Sequence, residues 1–338
     1  MPLGRRLGEH FGEEPVMETN IRIFDSAPKR SQSLSRIMKI YYLAKPVIPR
    51  KVQIYLRTKR ADRIRNRQNL CWPISEQSAT VPDGWKGWKG DKQFVLLLTH
   101  DIDTPRGYHY HQDLIEIEKT EDFVSAFYIV PEERYKINPG DLDKIWDSGF
   151  EVGVHGLNHD GKLLRSEKSF LQRAQQINEY IHKWNAFGFR APAMHHDLDL
   201  FRHFCIQYDA STFDVDPFEP QSEGVNTIFP FKVVDGNGKL QYWELPYTLA
   251  QDFTLFVILK ERTIDIWKRK IDWIAQNGGM VHLDTHPDYM NFGDTPLAGE
   301  TYPSAYYIEL LDYLKNEYRG QYWNPLPMQL VEFLNQTY

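Results

Sequence analysis

Seven short apolar runs, each leading into polar residues, constrain the fold of this chain more than any other feature. The first, FVLLLTH from Phe94, is continuously apolar and then abruptly polar, the pattern of a strand buried on both faces of a parallel sheet. Similar runs recur at Phe123–Val130, Phe150–His155, Phe187–Ala191, Tyr208–Thr212, Trp243–Pro246 and Met280–His286. Helical periodicity separates most of them, at Leu114–Lys119, Asp141–Ser148, Glu167–Trp184, Leu198–Phe204 and Ile264–Gln276, and two further helices near Ala305–Tyr318 and Met328–Asn335 close the chain. Strands alternating with helices give a parallel α/β fold, and about seven of them predict an irregular (β/α) barrel before an open sheet. No GxGxxG or GxxxxGKS occurs, so nucleotide binding has no support.

The chain before this region has a different character, and the boundary divides it into residues 1–90 and a main domain of residues 91–338. Residues 1–35 are polar without a sustained period and read as a loose leader. Helical spacing runs from Leu34 to Ala44, Pro46 and Pro49 interrupt it, and Lys51 to Arg67 reads as a second, strongly basic helix. Residues 70–90, with Pro73, Pro82 and WKGWKG, read as a linker. Net charge is −6, yet eleven Lys or Arg stand against the single acid Asp62 between Arg36 and Arg67, a local +10, so the remainder carries −16.

Such a basic, apolar-studded arm (36–67) suits peripheral contact with anionic lipid, or docking on the acidic main domain or on a partner. Nucleic-acid binding ranks below these, because no recognised motif accompanies the charge. The N-terminus lacks the apolar run of a signal peptide and no stretch is apolar enough to span a bilayer. The expectation is a cytoplasmic protein, with the inner face of the membrane as a place of contact.

Only two cysteines occur, Cys71 and Cys205, so a bound metal has to be held by His and carboxylate. The first strand ends in Thr99-His100-Asp101-Ile102-Asp103, and two carboxylates two positions apart can converge from one strand end. The third run ends in His155-Gly156-Leu157-Asn158-His159; if this loop opens a helical turn, the two imidazoles share a face. Two His with one carboxylate leave coordination positions open, as a catalytic metal requires. Gly156 stands where the HExxH proteases carry their base, which leaves Asp101 as the nearest candidate. The strand ends are where parallel α/β folds gather their active sites.

Together these segments resemble the polysaccharide deacetylase family, the NodB-homology or carbohydrate esterase family 4 fold. The similarity runs in order over about two hundred residues: LTHDID at 98–103, HGLNH at 155–159, GFRAP at 188–192, YDAS at 208–211 and LDTHPDY at 283–289. Asp101-Ile102-Asp103 is similar to the Asp-x-Asp branch of that superfamily. The resemblance implies Asp101 as base, Asp103, His155 and His159 as ligands of one divalent metal ion, and His286 as acid. The residues alone leave the division between Asp101 and Asp103 open. A His2Asp set suits zinc first, with cobalt, nickel or iron compatible. The usual Asp-Trp pairing of the fourth motif is missing: YDASTFDVDPF offers Asp209, Asp214 and Asp216 without Trp.

An amide needs an activated water, a stabilised oxyanion and an acid for its nitrogen. The metal and Asp101 supply the first in this reading, and His286 the last; the bland alternative for His286 is a turn cap before Pro287. Strand alternation puts His282, Asp284 and His286 on one side, so Asp284 is expected to orient one of the imidazoles. Arg190 reads either as a surface salt bridge or as the group that orients Asp101 and keeps it ionised. His195 and His196 read as rim residues. The implied activity is a metal-dependent deacetylase, a hydrolase of a non-peptide C–N bond, removing N-acetyl or N-formyl from an amino sugar of a bacterial surface polysaccharide or its precursor. The rivals are a hydrolase of a non-sugar, even cyclic, amide and a catalytically silent glycan-binding protein.

Overall fold

The structure is a computed structural model that describes residues 47–67, 70–133, 135–293 and 299–338. The expected leader 1–35 and the helix Leu34–Ala44 lie outside the described residues. The seven expected parallel strands form at β1 (Phe94–Ile102), β2 (Ser125–Ile129), β3 (Glu151–His155), β4 (Gly188–Arg190), β5 (Tyr208–Asp209), β7 (Leu240–Glu244) and β8 (Met280–Thr285), with β6 (Phe231–Val234) preceding β7. From β8 the ladder runs through β1, β2, β3, β4, β5 and β7 in parallel, and β6 adds at the edge, antiparallel to β7. Beyond β7 the chain curls back: the amides of Thr248 and Leu249 donate to the His282 carbonyl of β8 at 2.9 and 3.1 Å. The sheet thus bends into an irregular barrel, as its alternating pattern predicted.

The strands β1 to β5 and β8 are buried along their whole length. That is why the runs read as continuous rather than alternating. The strand β6 escaped the sequence reading although DGNG at 235–238 supplies the turn of its hairpin with β7, with Gly238 at φ +80°. Short strand pairs complete the sheets, β9 (Met290–Asn291) with β10 (Tyr302–Pro303), and β11 (Tyr322–Trp323) alongside the start of β1.

Helices cover the outside. In chain order they are α1 (Arg50–Arg65), α2 (Pro105–Glu121), α3 (Pro139–Asp147), α4 (Glu167–Trp184), α5 (Asp265–Asn277), α6 (Ala305–Glu317) and α7 (Pro327–Thr337). α2 begins nine residues before the expected Leu114, because Thr104 caps it through the Arg106 amide and Pro105 occupies its first turn. The expected helix Leu198–Phe204 is instead one 3-10 turn, Leu200–His203, before the chain drops into β5. The stretch 70–90 has no period but packs firmly. Trp85 stacks on Tyr338, ring centroids 5.1 Å apart, and the Trp88 indole donates to the Gly278 carbonyl at 2.8 Å.

The basic arm is a helix, as predicted, and it lies against the barrel. Ile54, Ala61 and Ile64 of α1 pack on Phe218, Phe253, Val257 and Ile258, the last three from a π-helical turn at Phe253–Ile258. Arg60 fastens the contact by donating to the carbonyls of Pro217, Phe218 and Glu219 at 3.2, 2.6 and 3.0 Å. No helix among the described residues is long and apolar enough to cross a membrane.

Candidate metal centre and active site

β1 ends with Asp101 inside the strand and Asp103 just past it, both buried. The turn into α2 is fixed by Asp288, which accepts from the Asp103 amide at 3.1 Å, from the Thr104 hydroxyl, and from the Gly107 amide at 3.3 Å. A Cβ at residue 107 would come within 2.1 Å of the Asp288 carboxylate, so this approach requires glycine. Burial and the charge of Asp103 push Asp288 up to about 7.

β3 delivers His155. Its Nδ1 faces the Arg190 carbonyl at 3.0 Å, a bond that puts the proton on Nδ1 and leaves the Nε2 lone pair free to ligate. That Nε2 is 3.3 Å from Asp103 Oδ1 and 3.5 Å from Asp101 Oδ2. His159 brings its own Nε2 to 3.3 Å from the same Asp103 oxygen. The helical turn expected at His155–His159 does not form. Gly156 adopts φ +64°, with Pro192 where a Cβ would need to be (2.6 Å), and the loop folds His159 back over His155. Glu133 steadies it by accepting from the His159 amide at 3.2 Å.

Arg190, at the end of β4, is fully buried. Its Nη1 donates to Asp101 Oδ1 at 3.0 Å and Asp284 Oδ1 at 2.8 Å, Nη2 to the Thr99 hydroxyl at 2.9 Å, and Nε to the Ala210 carbonyl at 2.9 Å. The surface-salt-bridge reading is thereby excluded. Burial and the neighbouring Asp101 push Asp284 up to about 8, with the Arg190 cation acting in the opposite direction. Asp101, Asp284 and His286 also form a cluster with metal-binding spacing, but the Arg190 cation already bridges its two carboxylates.

At the end of β8, His286 points its Nε2 to within 4.0 Å of Asp101 Oδ2. Its orienting partner is Asp252, not the expected Asp284, which is occupied by Arg190 and by Gln251 Nε2 at 2.9 Å. Asp252 Oδ1 lies 2.7 Å from His286 Nδ1, and Oδ2 accepts from the His286 amide and the Tyr302 hydroxyl, both at 2.8 Å. Burial alone would lower His286, but Asp252 and Asp284 raise it well above the usual imidazole range. His282 sits beneath, against Thr99 Oγ1 at 3.2 Å and Arg190 Nη2 at 3.0 Å.

The remaining expectations resolve elsewhere. Asp214 pairs with the buried Lys270 at 2.5 Å, Asp209 accepts from the Ser211 hydroxyl at 2.7 Å, and Asp216 accepts from the Tyr247 hydroxyl at 3.1 Å. His195 and His196 are not rim residues: they are 3% and 6% exposed, with His196 Nδ1 on the Met194 carbonyl.

Asp103 Oδ1 is the atom that tests whether a metal fits. It is buried and takes no hydrogen bond, while two imidazole Nε2 atoms stand 3.3 Å from it. One carboxylate and two imidazole atoms within 4.8 Å of one another, converging on an unsatisfied buried oxygen, are a donor set of the kind that holds a divalent ion. Despite the burial that opposes it, the neighbouring His159, His155 and His286 hold Asp103 far below the ordinary carboxylate range, so it is ionised and ready to ligate.

The same small cavity, about 70 Å³, is lined by Asp101, Asp103, His155, His159 and His286. Arg50, Arg57, Glu219, Gln251, Phe253 and Tyr289, none of which the sequence singled out as a site residue, line it too. Asp252 lies 34 residues from its imidazole and carries no local signal.

Three solved structures resemble this architecture over 74% of the chain and 93% of their own. They are a protein assigned as a polysaccharide deacetylase from Mycobacterium smegmatis (17% identity, TM-score 0.56), one so assigned from Pseudomonas aeruginosa PAO1 (12%, 0.56) and Puue allantoinase (13%, 0.57). The fold is that of the polysaccharide deacetylases. No protein-family model and no curated protein matches the sequence. At these identities the polysaccharide deacetylase likeness speaks for the fold, and the chemistry rests on the side chains described above.

Proposed function

We propose that this chain is a metal-dependent hydrolase that removes an N-acetyl or N-formyl group from an amino sugar of a bacterial surface polysaccharide or its precursor. The observation that carries the reading is the orphaned Asp103 Oδ1 facing the Nε2 atoms of His155 and His159, with Asp101 beside them. Asp103, His155 and His159 would hold the ion, zinc being the first candidate for this set. When bound, it would polarise the amide carbonyl and make water acidic enough to lose a proton near neutrality.

The chain's own groups supply the proton transfers. Asp101, held in place by Arg190, takes a proton at Oδ2, the oxygen that faces His155 and His286. His286, kept protonated by Asp252, delivers one from Nε2 to the departing nitrogen, so the product leaves as an amine rather than an amide anion. Arg190 touches no reacting atom; it positions the base.

The outer face of α1 supports peripheral contact with an anionic membrane, since exposed Val52, Tyr55 and Leu56 lie among Lys51, Lys59 and Arg63. A second reading, hydrolysis of a cyclic non-sugar amide, draws on the likeness to the allantoinase fold.

The test is metal analysis of the purified protein followed by acetate or formate release from N-acylated sugars, with allantoin as the cyclic arm. Close to one divalent ion per chain, lost in His155→Ala, and acetate release that needs it are expected. A wild-type protein that takes up no ion, or an ion-loaded one that opens only the cyclic amide, overturns the sugar-deacetylase reading.

A further inference from the structure

The arm helix contributes to the site as well as covering it. Arg50 and Arg57, one on the first turn of α1 and one two turns on, line the same cavity as Asp103 and His286. Arg50 is engaged, donating to the Tyr289 hydroxyl at 3.1 Å and reaching Glu300 at 3.5 Å. Arg57 is not: its guanidinium lies 4.7 Å above the Phe253 ring, and no described residue accepts a hydrogen bond from it or pairs with it within salt-bridge distance. The nearby acid Glu219 is buried: burial raises it, the Arg57 charge opposes that rise, and its Oε1 lies 3.3 Å from the Tyr247 hydroxyl.

A cation stacked on an aromatic ring is fixed in plane while its N–H edge stays free to bind. The backbone beneath it is equally fixed, because Arg60, one turn further along α1, is tied to three carbonyls. Arg57 lines the same cavity as Asp101, Asp103 and His286, so a substrate seated with its amide at those groups presents its neighbouring substituents to the guanidinium.

Accepting the amidase reading on which this rests, we propose that Arg57 selects amides bearing an anionic oxygen group, a phosphate or a carboxylate, on the same sugar as the acylated nitrogen. The planar fork of a guanidinium matches both groups in a bidentate manner, and a neutral sugar offers it no comparable partner.

The test compares three probes on the metal-loaded enzyme: N-acetylglucosamine, its 1-phosphate, and 2-acetamido-2-deoxyglucuronic acid. Wild type is expected to favour at least one charged probe in kcat/KM, and Arg57→Gln to lower the charged-to-neutral ratio about tenfold or more, as for a lost charged hydrogen bond. Arg57→Lys should recover part of that ratio. Lys51→Gln, which removes the same charge from the exposed face of α1, should leave it unchanged. Which charged probe is favoured separates phosphate from carboxylate.

Calorimetric binding of the same probes to metal-free wild type and Arg57→Gln reads the contact without hydrolysis. Arg57-dependent binding of a charged probe with no turnover would uphold this inference while the hydrolase reading falls. A ratio indifferent to Arg57, or equal losses in Arg57→Gln and Lys51→Gln, would overturn it.

Discussion

Asp252 grips His286 twice, one carboxylate oxygen 2.7 Å from ring Nδ1 and the other 2.8 Å from the backbone amide of the same residue. The ring can therefore neither rotate nor lose its positive charge easily. If His286 is the acid, activity is present while the ring is protonated and is lost as pH rises through its raised pKa. The basic limb of kcat/KM should then lie above the ~6.5 of an unperturbed imidazole. Asp252→Asn removes the carboxylate charge and should move that limb to lower pH. A limb that stays in place would mean that His286 is not the acid.

Asp101→Asn tests the base. It preserves shape and the Arg190 contact while removing the proton acceptor, so kcat should fall by about 10²–10⁴ with the bound ion retained. If Asp101→Asn loses the ion and Asp103→Asn keeps it, the two roles are exchanged.

Arg190→Leu should be costly for the fold as well as for the reaction. It strands Asp101 and Asp284 in an interior where Arg190 is their shared cation, and breaking such a buried pair costs about 3–5 kcal/mol. Denaturant midpoints measure this. Arg190→Lys should recover only part of the loss, since one ammonium cannot reach Asp101, Asp284, Thr99 and the Ala210 carbonyl together.

Gly156→Ala should weaken the metal site without touching a ligand. The φ of +64° disfavours any side chain, and Pro192 occupies the space a methyl would need. The loop must shift, carrying His159 with it. Metal titration should show lower affinity in Gly156→Ala, with the ion no longer held at the wild-type level. Unchanged affinity would mean that His159 is dispensable for binding.

What the sequence disclosed and what it withheld follow from how far each interaction reaches along the chain. Asp101, Asp103, His155 and His159 were visible because strand ends present their chemistry in a few consecutive residues. Arg190 was visible as a residue, though only its burial distinguishes a positioning group from a surface ion pair. The partner of His286 was not visible: Asp284 is two residues away and the obvious candidate, but Arg190 holds it, and Asp252 arrives from another connection. The shape of the His155–His159 loop was misread because four-residue spacing suits a helical turn, whereas Gly156 at positive φ builds a tighter fold-back. The β6–β7 hairpin had its turn signal in DGNG, and only its strand beginning at Phe231 went unread. Arg57 could not be foreseen, because its place depends on a helix docking against residues some two hundred positions downstream.

The docking of α1 also bears on how this protein can be handled. A chain shortened to begin near Gln93, where the sequence pattern changes, would keep every proposed metal ligand and both proposed proton-transfer groups. It would also strip the cover from Phe218, Phe253, Val257 and Ile258, and leave the mouth without Arg50 and Arg57. A contiguous apolar surface of that kind invites self-association. Recombinant fragments, domain swaps and engineered fusions should therefore cut ahead of Arg50, so that this apolar face stays covered.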